Sequence, residues 1–338
     1  MSSDQTNTPE EPQAPQVPPV TGSVPRPKTS GLAKGEAVPG VAKVDPIMVI
    51  DGVTRRFGGL TAVDVEHLEI PRNAITALIG PNGAGKTTLF NLLCGFDKPN
   101  SGSWSYDGKN LAGIPAFKVA RMGQVRTFQL TKALSLLTVL ENMKLGAPAQ
   151  RGEKFWQAFV PAVWRSQETA NEEKARDLLK RFKLDAKEQD FAASLSGGQR
   201  KLLEMARALM SDPNLVMLDE PMAGVNPALT ESLLDHILDL KELGMTVLFV
   251  EHDMHMVRHI ADWVVVMAEG KVVAEGPPDA VMQNKAVIDA YLGSHQDVDL
   301  GVVTGRIAGE LDTSAVELLE EIKEEEEASI AEAEKEKK

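Results

Sequence analysis

AITALIGPNGAGKTTLFNLLCGF, residues 74–96, sets the architecture of the chain. The first seven residues, Ala74 to Gly80, are apolar apart from Thr76 and end in a glycine, the pattern of a buried strand entering a loop. TTLFNLLCGF then reads as a helix. Between them GPNGAGKT, Gly80 to Thr87, satisfies G-x-x-x-x-G-K-[ST] in the strand-then-helix context that this motif requires. Glycines permit backbone angles that turn successive N–H groups inward around phosphate oxygens. The helix that starts there adds the positive end of its dipole. Lys86 can reach the outer phosphates of a nucleotide, and the Thr87 hydroxyl can ligate Mg²⁺. The nucleotide set is therefore Gly80, Pro81, Asn82, Gly83, Ala84, Gly85, Lys86, Thr87 and Thr88.

Such a loop needs an acid on a neighbouring strand to hold the metal. LVMLDE supplies one: four apolar residues, then Asp219 and Glu220 at the carboxyl end, where open α/β sheets place their ligands. Asp219 is the metal candidate. Glu220, one residue on, is a candidate base for an attacking water. MTVLFVEHD is a second short apolar run closed by acids, as buried parallel strands are, and helical stretches separate the runs in a βαβ rhythm. IMVIDGVTRRF alternates as a strand from about Pro46. WVVVMAEGKVVAEG, residues 263–276, reads as a hairpin about Glu-Gly. Residues 114–195 are mainly helical in pattern. Within them Glu168 to Leu184 places Ala175, Leu178, Leu179 and Phe182 on one face.

The net charge of −13 is concentrated at one end: Gln296 to Lys338 holds 14 acidic and 5 basic residues. The remainder has no marked basic excess, which weighs against a nucleic-acid partner. Residues 1–45 are rich in Pro, Ser, Thr, Gln and Gly and are expected to be disordered. The acidic stretch 295–338 reads as a tail, partly helical. No run of 18 apolar residues occurs, so no bilayer-spanning helix is expected. A single cysteine, Cys94, excludes an internal disulfide framework and suits a reducing compartment. Its apolar setting predicts a buried thiol.

LSGGQ, Leu195 to Gln199, opens a further helix, RKLLEMARAL, and lies 20 residues before Asp219. A serine and two glycines at a helix start make a second anion-binding terminus. This pentapeptide, its order and its spacing resemble the signature of the ABC ATPase family, over about Ile47 to Gly293. The resemblance implies that Ser196, Gly197, Gly198 and Gln199 contact the γ-phosphate bound by a second subunit. It places Phe57 of TRRFGG against adenine, Gln129 of RTFQ near Mg²⁺ and the water, and His252 as the switch residue beside the γ-phosphate. His252 lies 32 residues after Glu220, as that role requires. The remaining histidines form no metal-ligand pattern. Asn226 departs from the aspartate common in the loop after the catalytic acid. That AGVNP form is similar to the branched-chain amino acid importer ATPases, as are RRFGGLTAV, VRTFQ, LTVLENM, VEHDM and AVIDAYLG.

The resemblance implies a P-loop NTPase of α/β class, with a RecA-like core, an antiparallel β subdomain and a helical subdomain at roughly 114–200. ABC ATPase domain boundaries fall at about 46–294. Expected ligands are ATP and Mg²⁺. Expected partners are membrane-spanning permease subunits, a second ATPase subunit (the same chain or a paralogue) and, indirectly, an extracytoplasmic substrate-binding protein. The location implied is the cytoplasmic face of the membrane, as a peripheral protein. A lipopolysaccharide-export ATPase and a non-transport ABC protein are the alternatives.

Overall fold

The computed structural model describes residues 37–127, 134–148, 150, 161–225 and 227–292. Two sheets organise it. β1 (Pro46–Phe57) and β2 (Leu60–Pro71) form an antiparallel hairpin, and β4 (Ser101–Tyr106) with β5 (Lys109–Asn110) extends it in the order β2-β1-β4-β5. The larger sheet contains β3 (Ile75–Ile79), β6 (Gln124–Arg126), β7 (Leu215–Asp219), β8 (Thr246–Val250), β9 (Trp263–Ala268) and β10 (Lys271–Gly276), ordered β10-β9-β3-β8-β7-β6. Its strands pair in parallel except β10, which returns antiparallel along β9. The turn between them uses Glu269 at φ 49° and Gly270 at φ 82°, the positive angles that a two-residue hairpin of type I′ needs.

β3, β7 and β8 are buried at every position, and their alternation divides two hydrophobic cores. Ile75, Ala77, Ile79, Val216, Leu218, Val247 and Phe249 face one core. Leu78, Leu215, Met217, Leu248 and Val250 face the other, which also takes the inner side of the antiparallel sheet and α1 (Lys86–Leu93). This two-sided burial is why these strands read as continuous apolar runs.

The first core also covers α3 (Val139–Lys144), α4 (Pro161–Arg181) and α5 (Gly197–Leu209) through Val139, Met143, Ala175, Leu179, Leu203 and Ala206. Thr138 and Glu141 start α3 with a reciprocal capping box, satisfying two N–H groups otherwise left open. Ala175, Leu179 and Phe182 are buried and Leu178 packs beside them, on the face the sequence indicated. The remaining helices are α2 (Ala116–Arg121), α6 (Pro227–Glu242), α7 (Met254–Ile260), α8 (Pro278–Met282) and α9 (Lys285–Leu292).

Two sequence readings change. The helical span 114–200 contains β6, which pairs in parallel with β7 and belongs to the core sheet. Residues 37–45, read as part of a disordered tail, lie against the domain. There Val41 N–H donates to Glu275 Oε1 at 2.8 Å and Lys43 Nζ to Glu275 Oε2 at 2.8 Å. A fully buried carboxylate on β10 requires such donors, and composition does not reveal it. Residues 1–36 and 293–338 lie outside the described residues.

Candidate functional site

The phosphate loop leaves β3 and enters α1 through three left-handed glycines: Gly80 at φ 146°, Gly83 at φ 79° and Gly85 at φ 96°. Two of them are also forced by space. A Cβ on Gly80 would stand 2.0 Å from the Met267 carbonyl oxygen, and one on Gly85 would stand 2.2 Å from that of Ala62. The loop is thus set against β9 and β2, while Asn82, Gly83 and Thr87 face solvent. Lys86 folds over it, donating from Nζ to Gly80 O at 2.6 Å and Pro81 O at 2.9 Å. Burial pulls the Lys86 ammonium below the usual lysine range, and the nearby charge of Glu220 opposes that shift.

Asp219 is buried, and its Oδ2 accepts from Arg126 Nη2 at 2.6 Å. Arg126 ends β6, and its Nη1 also donates to Asn91 Oδ1 on α1 at 2.6 Å. One guanidinium thus ties three elements at the metal candidate. Glu220 follows in left-handed backbone at φ 46°. On the adjacent strand end Glu251 is 1% exposed, and it accepts from Met222 N–H at 3.0 Å and His252 N–H at 3.3 Å. Burial raises the Glu251 carboxyl, and the two backbone donors partly offset this. The His252 side chain is exposed, its Nδ1 3.6 Å from Glu251 Oε2. Phe57 sits at the tip of the β1–β2 hairpin, 49% exposed with the Arg55 guanidinium 4.4 Å over its ring. That exposure excludes a core role.

Ser196 caps α5. Its hydroxyl accepts from Gln199 N–H at 3.2 Å, and Gln199 Oε1 accepts from Ser196 N–H at 3.0 Å. Ser196 and Gly197 are exposed, whereas Gly198 is buried where a Cβ would meet Leu229 Cδ1 at 2.4 Å. Gln129 and Asn226 lie outside the described residues. Cys94 is buried beside Met217 and Gln124, and burial pushes its thiol up to about 11. Among the described residues no group of three or more His, Cys, Asp or Glu side chains could hold a metal on its own. Mg²⁺ with a nucleotide needs no such cage, only one or two protein oxygens beside phosphate. The exposed Thr87 side chain and the Asp219 carboxylate, the latter held by Arg126, are oxygen donors of that kind.

A family model described as ABC transporter matches residues 63–223. The chain is 39% identical over 257 residues to the probable branched-chain amino acid transport ATP-binding protein LivG of Archaeoglobus fulgidus, a span of 76% of this chain and 99% of that one. The chain belongs to the ATP-binding proteins of ABC transporters. The Pseudomonas aeruginosa protein BraF, named for high-affinity branched-chain amino acid transport, is 41% identical over 73% of this ABC ATPase and 98% of its own length. A second model, described as branched-chain amino acid ATP-binding cassette transporter, matches residues 271–297, and it favours that branch over the export and non-transport alternatives. A nucleotide-free ATP-binding cassette superposes with TM-score 0.64 at 34% identity, covering 73% of this chain and 98% of that one. The ADP conformation of MJ1267, an ATP-binding cassette of an ABC transporter, gives TM-score 0.62 at 32% identity, covering 73% of this chain and 99% of that one. As a member of this family the chain is an ATPase. No helix among the described residues is long and apolar enough to cross a membrane.

Sequence reasoning assigned no role to Arg126, Lys201, Glu251 or Tyr291 in this ATPase. They act across long stretches of chain: Arg126 pairs with a residue 93 positions away and Glu251 with the Met222 N–H 29 positions away. Local pattern carries no trace of such pairings.

Proposed function

We propose that this chain powers a branched-chain amino acid importer from the cytoplasmic face of the membrane, working on separate permease subunits. The observation that supports this most is the branched-chain model at residues 271–297; in that segment β10 pairs with β9, the neighbour of the phosphate strand β3, and α8 and α9 pack on β10. In this reading the backbone N–H groups of Gly83 to Thr87 and the Lys86 ammonium bind the phosphates, and Phe57 stacks on adenine. Thr87 and Asp219 would hold Mg²⁺, which when bound would supply positive charge against the phosphate oxygens. Glu220 accepts a proton from the attacking water as the water oxygen bonds to the γ-phosphorus. The bond to the bridging oxygen breaks, and ADP leaves with that oxygen's electrons. His252 would orient the water and γ-phosphate; Gln129, the third metal candidate, lies outside the described residues.

Two copies, or this chain with a paralogue, would close head to tail, so that Ser196 to Gln199 of one subunit meets the γ-phosphate held by the other. An open groove of about 410 Å³ between the end of α2, β6 and the C-terminal half of α5 carries Arg121, Arg207, Glu204 and the exposed Leu145. It offers a mixed charged and apolar surface for a permease segment. The test is transport. A strain lacking this chain should lose high-affinity uptake of radiolabelled leucine, isoleucine and valine. Unchanged uptake of all three, in a strain stripped of other carriers, would contradict the substrate assignment while sparing the ATPase.

A further inference from the structure

Non-glycine residues in left-handed backbone carry strain on the order of 1–3 kcal/mol and persist only where their surroundings hold them. Glu220 is such a residue, at φ 46°. Its N–H donates to Val250 O at 3.1 Å, and its carbonyl accepts from Ala223 N–H at 3.1 Å. A third contact comes from outside the strand ends: Lys201 Nζ donates to Glu220 O at 3.0 Å and to Pro221 O at 2.9 Å. Lys201 is on α5, the helix that Ser196 and Gly197 open. Burial pulls the Lys201 ammonium below the usual lysine range, and the charges of Glu251, Glu204 and Glu220 oppose that shift. Further along the same turn Glu251 holds Met222 N–H, so the turn is fastened from two elements.

We propose that Lys201 is a positioning residue for Glu220. It fixes the left-handed turn that aims the carboxylate toward the phosphate loop, and it links that turn to the position of the signature helix in the same subunit. A shift of α5 when its exposed N-terminus meets the partner's nucleotide would pull on the two carbonyls that orient this subunit's own acid. The inference rests on the reading of Glu220 as the base.

The experiment measures ATP hydrolysis by the purified full chain at saturating and limiting Mg-ATP for Lys201→Met, Lys201→Arg, Glu220→Gln and the double variant Lys201→Met/Glu220→Gln. Circular dichroism confirms folding, with Lys201→Gln in reserve should the methionine variant fail to fold. Lys201→Met should lower kcat roughly 10- to 100-fold, the range for residues that orient a site from behind it, with KM for ATP within about twofold of wild type. Lys201→Arg, which can still donate to two carbonyls, should recover most of the rate. In the Glu220→Gln background the methionine change should add little further loss in single-turnover measurements, because both act on one step. Full activity of Lys201→Met, or an undiminished extra loss in that background, overturns the inference while Glu220 keeps its role. Wild-type hydrolysis by Glu220→Gln would remove the base assignment, and this inference with it.

Discussion

At Gly85 a methyl group has nowhere to go: the Ala62 carbonyl oxygen lies 2.2 Å from where its carbon would be, and φ is 96°. Gly83 shares the left-handed angle, at φ 79°, but has open space around it. Gly85→Ala should therefore lose more stability than Gly83→Ala in urea unfolding. The expectation is about 3 kcal/mol or more against about 1 kcal/mol, since only the first adds a clash with rigid backbone to the conformational penalty. Equal losses would mean that the angle alone dictates glycine here. His236 offers a second residue-scale test. It is 5% exposed, stacked 4.4 Å from Phe182, with Asp239 Oδ2 3.7 Å from Nδ1. Burial holds its pKa below the ordinary 6.5, helped by Lys183 and opposed by Asp239 and Asp235. A depressed folded value means that the unfolded chain takes up the proton first. His236 therefore lets stability hold above pH 6.5 and erode as the pH falls from there toward the folded pKa. His236→Phe should flatten that part of the stability-against-pH curve, and an unchanged slope would rule His236 out as its source.

The strap at residues 37–45 joins two distant parts of the chain as an element. Lys43 Nζ pairs with Glu275 at 2.8 Å with side chains 3% and 0% exposed, and it lies 4.4 Å over the Trp263 ring. Trp263 Nε1 donates to the same carboxylate at 2.9 Å. Removing one partner of a buried pair leaves a charge without its counter-ion. Lys43→Met should cost about 3 kcal/mol in urea unfolding, with ATP hydrolysis per folded molecule unchanged; a loss below about 0.5 kcal/mol would show the strap to be ornamental. Composition alone placed these residues in a tail, because a single lysine and a single valine amide meeting a buried acid leave no periodic signal. β3, β7 and β8, by contrast, were legible, since burial on both faces writes an uninterrupted apolar run. β6 was hidden: Gln124–Arg126 is three residues long and mostly polar, and its identity comes from pairing with β7 rather than from its own pattern. SGSWSY, which forms β4, is equally poor in strand formers and is fixed by pairing with β1.

On the scale of the molecule, the candidate site could be located in the sequence wherever residue types stand at fixed local spacing. Gly80 to Thr88, Asp219–Glu220 and Leu195–Gln199 are such stretches, and the structure sets each at the end of a strand or the start of a helix. What the sequence did not disclose is the scaffold behind them: Arg126 on Asp219, Glu251 across the turn, and Lys201 on the carbonyls of Glu220 and Pro221. Those contacts exist only once the sheet has brought β6, β7, β8 and α5 together. The same geometry leaves the helix start at Ser196 and Gly197 exposed, so one subunit presents half of each proposed ATP site. The central claim, that Glu220 drives hydrolysis in a site closed by two subunits, is tested most directly by Glu220→Gln. Size-exclusion chromatography with and without Mg-ATP is paired with phosphate release. Glu220→Gln should bind ATP near the wild-type level, hydrolyse it more slowly by roughly two to four orders of magnitude, and give a dimer peak only with Mg-ATP. Hydrolysis at the wild-type rate would contradict the role of Glu220, and an inactive, ATP-bound monomer would contradict closure between two copies of this chain.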